Sequence, residues 1–282
     1  MLKVIDVDKL FDKYISGYVY KNVGKIKPEE IEDNIPVMYE KFGTEPLEEL
    51  DGFTPQTYYS RATVTELFGC LKKHAEEKVP VPDFLFEAII ADKDNYAAVC
   101  KELAVATSGE FSEEYAVYLM NAVTAIRAGV PTERYIDFML NDYPETVREL
   151  ATETLAENAD ASTEALVSVE EGASLDAKER IAEVLSNVRD KKSDKIFDIL
   201  VNAFIGCGDK LAQYAGYLAR YGDERAIPFL TAAIENEKIS YADFEEIRFA
   251  IEALGGEYNK KRDFTADKTY KKIKSGNTPA KE

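Results

Sequence analysis

In the stretch LFGCLKKHAEE, Cys70 and His74 stand four residues apart, so on a helix they share one face. A thiol and an imidazole so placed could act as a nucleophile and its base. His74 is the only histidine of the chain, and no third residue stands at a spacing that would orient it. Side chains on one helix face also project in parallel, a poor geometry for passing a proton. Inert packing is the expectation, as for most buried cysteines. A structural zinc site uses four ligands, and Cys100 and Cys207 have no partner at ligand spacing.

The stretch DKDNYAAVCKEL opens like a calcium loop with Asp92 and Asp94. Such a loop needs glycine at its sixth position and glutamate at its twelfth, where this chain has Ala97 and Leu103. It reads instead as a helix start rich in acids. Glu170 and Glu171, before Gly172, read as a solvated helix end. No glycine-rich phosphate loop and no G-x-S-x-G turn occurs. The expectation is no catalytic residue, no metal site and no cofactor.

The elements that carry these residues come from a chain of 282 residues, 45% hydrophobic and 31% charged. That is an ordinary balance for a folded protein with a substantial core. No apolar run is long enough to span a bilayer, and the start MLKVIDVDKLFDKY lacks a signal-peptide core. A cytoplasmic location and three reduced, scattered cysteines are expected. The net charge of −18 repels phosphate backbones and argues against a nucleic-acid partner. Basic residues concentrate only in 260–282, with eight Lys/Arg against three Asp/Glu, so the remaining residues hold −23. That basic segment is expected to be a solvated, partly frayed terminus.

Helical periodicity dominates, and it recurs. The segments VRELATETLAEN (147–158), AKERIAEVLSNV (177–188), KLAQYAGYLARYG (210–222) and EIRFAIEALGG (246–256) align without gaps on Leu155, Leu185, Leu218 and Leu254. One turn before each leucine stand Ala151, Ile181, Tyr214 and Ala250. AVYLMNAVTAIRAG (116–129) fits the same register through Ala122 and Ile126. Shorter helical segments, TERYIDFML, TEALVSVEE, SDKIFDILVNAF and ERAIPFLTAAIEN, alternate with them. One pair cannot bury both apolar faces, so neighbouring pairs are expected to stack. LARYGDERAIPFL (218–230) is the seam between repeats: Gly222 closes one helix, Asp223 caps the next, and Pro228 is expected to kink it.

These stretches resemble HEAT-type repeats of the HEAT and armadillo solenoids, best around 211–234 and more loosely over 112–256. The resemblance implies an all-α fold, a right-handed α-solenoid of antiparallel helix pairs with a concave working side. The basic or asparagine ladder of many such repeats is patchy here: Arg148 is present, but Leu211 and Ile247 occupy the equivalent places. No residue set of a HEAT-like enzyme is found.

Residues 1–80 are helical but off register and are expected to form an irregular cap, followed by repeats over 81–258 and a basic tail over 259–282. Gly52, Thr54 and Pro55 mark a junction, and Thr63 with Glu66 forms a capping-box pattern.

On a helical wheel, the positions about 160° and 200° from Ala151 are Glu149 and Glu153. The same offsets give Glu179 and Glu183 from Ile181, Ala212 and Gly216 from Tyr214, and Arg248 and Glu252 from Ala250. As second helices of HEAT-like repeats line the concave side, these residues form a candidate ridge for a basic segment of another protein. They are equally read as solvated charges. The leading expectation is a non-enzymatic interaction scaffold. The alternative is an enzyme or small-ligand binder with a site in the aromatic-rich N-terminal region.

Overall fold

The computed structural model describes residues 2–22, 28–107 and 111–274. Among them every regular element is helical, and no strand occurs. The chain divides into two compact units, Met1–Pro131 and Thr132–Glu282.

The first unit contains α1 (Val7–Asn22), α2 (Pro28–Gly43), α3 (Pro55–Ser60), α4 (Val64–Glu77), α5 (Asp83–Ile90), α6 (Tyr96–Ala106) and α7 (Glu113–Ile126). Local chemistry sets its helix starts. Gly52 is left-handed at φ 79°, Thr54 accepts the Thr57 N–H, and Pro55 opens α3 where no amide bond is lost. Thr63 and Glu66 form the reciprocal capping box of α4. The helix α5 packs on α3 and α4 and also on α7. The compact unit thus runs through the expected 80/81 boundary, with α5 and α7 packed into the same core as the helices before them. Fully buried Tyr58, Tyr59, Leu71, Leu85 and Tyr115 belong to that core.

The second unit contains α8 (Thr132–Leu140), α9 (Glu145–Glu157), α10 (Ala159–Val169), α11 (Leu175–Leu185), α12 (Asp194–Ile205), α13 (Leu211–Tyr221), α14 (Ile227–Ile234), α15 (Tyr241–Ala253) and α16 (Lys268–Lys274). The helices pack in consecutive pairs: α9 on α8, α11 on α10, α13 on α12 and α15 on α14. The second helices of these pairs also pack in series, α9 on α11, α11 on α13 and α13 on α15. Ala151, Ile181, Tyr214 and Ala250 are all buried, as are Leu155, Leu185 and Leu218. Leu254 is only half-buried, since α15 ends at Ala253 and Leu254 is its cap.

The seam at 218–230 differs from expectation in one respect. Gly222 closes α13 at φ 73°, and the Asp223 carboxylate accepts the Arg225 N–H. A short 3-10 turn, Glu224–Ala226, intervenes before α14 begins at Ile227. Pro228 consequently lies in the first turn of α14, where its missing N–H has no helical partner to lose. No proline kink arises.

The segment expected as a frayed basic tail is mostly exposed over its described part but is anchored at two residues. Phe264 is buried with its ring 5.0 Å from that of Phe244. Arg262 donates to the carbonyls of Ile234 and Asn236 at 2.7 and 2.8 Å. The rest of that expected tail, residues 275–282, lies outside the described residues.

Candidate functional site

The helices that carry the ridge positions bury Ala151 and Leu155 on α9, and Ile181 and Leu185 on α11. With those apolar residues facing the core, 3.6-residue periodicity sends the intervening acids outward. Glu149 and Glu153 are exposed, whereas Glu179 and Glu183 are half-buried. The Glu179 carboxylate is ion-paired with Lys210, just before α13. Glu183 lies beside the Tyr217 phenol, which is pushed up chiefly by burial and accepts the Gln213 amide N–H at 2.6 Å. On α15, Arg248 forks to Glu245 at 2.6 Å and to Glu252 at 2.9 Å, so these charges close on their own helix. Ala212 is half-buried and Gly216 exposed on α13. The outward acids most open to solvent are thus Glu149 and Glu153, while the α15 positions are internally neutralised.

Sequence reasoning missed the charge lattice between α9 and α11. Arg148 bonds Asp176 at 2.6 Å and pairs with Glu145 at 3.2 Å. Arg180 pairs with Glu145 and, at 3.6 Å, with Asp176. Both guanidinium groups are mostly covered while both carboxylates are more than half exposed, so each pair is worth at most about 1 kcal/mol. Its role is to fix the register of α9 against α11. Arg148 was visible as a possible ladder residue, but its partners lie up to 28 residues away and only packing brings them near.

A cavity of about 440 Å³, bounded by α11, α12 and α13, was also missed. Leu175, Ile199, Ala203 and Tyr214 give it apolar walls. The pairs Glu170–Lys178, at 3.3 Å, and Glu179–Lys210 stand in its lining. Leu175 is 76% exposed, because Ser174 caps α11 and leaves its first residue projecting. Burial pushes the Cys207 thiol in this lining up, which holds it protonated. The cavity can take an apolar side chain beside a carboxylate; it contains no activated nucleophile.

The residues first considered for chemistry are placed as follows. Cys70 is buried, its thiol pushed up to about 11 by burial, and it donates to the Lys3 carbonyl at 3.6 Å. His74 is fully buried, with Nδ1 2.9 Å from the Pro80 carbonyl, so Nδ1 carries the proton. Its Nε2 has no hydrogen-bond partner among the described residues, and in particular does not meet Cys70. Asp92 accepts the Asp94 N–H and caps a 3-10 turn before α6. Glu170 pairs with Lys178 and Glu171 is exposed. Among the described residues no group of three or more His, Cys, Asp or Glu could hold a metal ion. None of the described helices is long and apolar enough to cross a membrane.

The aromatic residues of the first unit pack on one another. Phe11 lies edge-on to Tyr39 at 4.9 Å, and Tyr39 stacks on Phe84 at 5.0 Å. Burial, then the carboxylates of Asp83 and Asp8, push the Tyr39 phenol above its ordinary range.

No protein-family model matches the chain, and neither the curated proteins nor the solved structures contain a match to it.

Proposed function

We propose that this chain is a non-enzymatic protein-interaction scaffold. In this reading the helices from Thr132 to Ala253 form a HEAT-like, right-handed solenoid of antiparallel pairs. Its second helices line a concave side that receives a basic segment of another protein, in a cytoplasmic setting. The observation that carries the proposal is the serial packing of α9, α11, α13 and α15 on apolar registers, with Glu149 and Glu153 left outward. Repeat stacks of this kind offer extended binding surfaces. Acidic surfaces of such stacks steer basic partners and lose them as salt rises. A small-ligand site among the N-terminal aromatics has less support, because those rings fill one another's faces.

A display selection of random peptides on the full chain tests the proposal. Enrichment of basic peptides, weakened by salt, is expected for the parent. The variant E149K/E153K/E179K/E183K should lose that binding, and the control E164K/D198K/E224K/E237K, built on exposed acids elsewhere, should keep it. Equal binding by both variants, or no basic enrichment, would overturn the assignment.

A further inference from the structure

We propose that residues 260–274 of one copy dock on α9 and α11 of a second copy, with Ile273 seated in the cavity bounded by α11, α12 and α13. This rests on the preceding reading that the acidic face receives a basic segment, and it names that segment.

The charges are complementary and segregated. Helices α9 and α11 together hold seven acidic and three basic side chains, a net of −4. Residues 260–274 hold seven basic and two acidic ones, a net of +5. In a chain of net −18, this is the one strongly basic stretch of sequence.

The basic segment is already folded for presentation. Asp267 accepts the N–H groups of Thr269, Tyr270 and Tyr241 at 2.8, 3.0 and 3.2 Å, which caps α16 and ties it to the start of α15. The Tyr270 ring lies 5.0 Å from that of Tyr241. With Tyr270 turned inward, Ile273 is left 63% exposed between exposed lysines in the run KKIK. An ordered knob forfeits less entropy on docking than a free chain.

The receiving surface has the matching parts. Leu175, Ile199, Ala203 and Tyr214 can surround an isoleucine; Glu179 in the same lining is paired with Lys210, so the acids open to the incoming lysines are Glu183, one turn later on α11, and Glu149 and Glu153 on α9. None of the residues lining the cavity comes from 260–274, and α16 is tied to α15, so the contact is made in trans. Knob and socket are built from different helices, so the contact is heterologous: each copy offers both, and association continues beyond a dimer unless a ring closes.

Sedimentation velocity of the full chain decides the matter. At about 50 mM salt the sedimentation coefficient should climb with protein concentration, and association should weaken at least about tenfold at about 500 mM. I273D, K271E/K274E and E149K/E153K/E183K should each remain monomeric, with unchanged circular dichroism. Mixing K271E/K274E with E149K/E153K/E183K should restore association, because each then carries the charge the other needs. A monomeric parent at every concentration, or association that persists in all three variants, would overturn the proposal. So would a parent that stays monomeric and binds a labelled oligonucleotide through Lys271 and Lys274. A monomeric parent that still enriches basic peptides removes this inference and leaves the scaffold standing; failure of both experiments removes both.

Discussion

The carboxylate of Asp160, at the start of α10, accepts the backbone N–H groups of Asp190 and Lys191 at 2.9 Å each, and of Arg189 at 3.3 Å. One side chain thereby orders the turn between α11 and α12 from about thirty residues upstream.

These bonds hold the Asp160 carboxyl below the usual carboxylate range, the Lys191 N–H contributing most. A depressed folded value means that the stability is fully present above the unfolded value of about 3.9 and is lost as pH falls through the folded value. Asp160→Ala should therefore melt below the parent by a constant margin from neutral pH to about pH 5. That margin should close below about pH 4. Thermal melts across this range check it, and a margin that widened in acid would contradict the hydrogen-bond assignment.

Leu155 and Leu218 are each 1% exposed, whereas Leu254 is half-buried. Leu155→Asp and Leu218→Asp should each cost roughly 3–5 kcal/mol, because a carboxylate would be buried without a partner. Leu254→Asp should cost clearly less. Urea unfolding of the three variants ranks them, and equal losses at all three positions would show that the half-buried cap is as closed as the core.

Cys70 is buried and its thiol is pushed up to about 11, while Cys100 and Cys207 are half-buried. Alkylation of the native chain at mildly alkaline pH should mark Cys100 and Cys207 well before Cys70, since the thiolate is the reacting species. Peptide mass mapping over a time course reads the order. Cys70 labelled first would mean that α4 opens readily or that the thiol is activated.

The Tyr221 hydroxyl, on a side chain 1% exposed, accepts the Ser193 N–H at 3.0 Å and donates to the Ser193 carbonyl at 3.2 Å. Tyr221→Phe removes both bonds while leaving Ser193, itself exposed, open to water, and should cost about 0.5–1.5 kcal/mol, the net worth of a hydrogen bond that solvent can partly replace. Chemical denaturation measures it. A loss above about 3 kcal/mol would mean that the Ser193 groups are closed off from solvent.

The sequence by itself determined the helical class and some helix boundaries, because these depend on residues within one or two turns. Thr63 and Glu66 cap α4 by touching each other, and Gly222 closes α13 through its own φ. The inward face was equally legible: Ala151, Ile181, Tyr214 and Ala250 are buried because a periodic apolar stripe has nowhere else to go. Tertiary structure alone decided what depends on distances between elements. The 3-10 turn at Glu224–Ala226 moved Pro228 into the first turn of α14 and cancelled the kink that a continuous helix would have carried. Packing selected which ridge charges stay open, pairing Glu179 with Lys210 and leaving Glu149 and Glu153 to solvent. It also joined α5 and α7 to the core of the first unit and opened the cavity between α11, α12 and α13. A helical wheel gives the direction of a side chain but not what stands there, since the neighbour comes from a helix tens of residues away and its position is set by how the cores close.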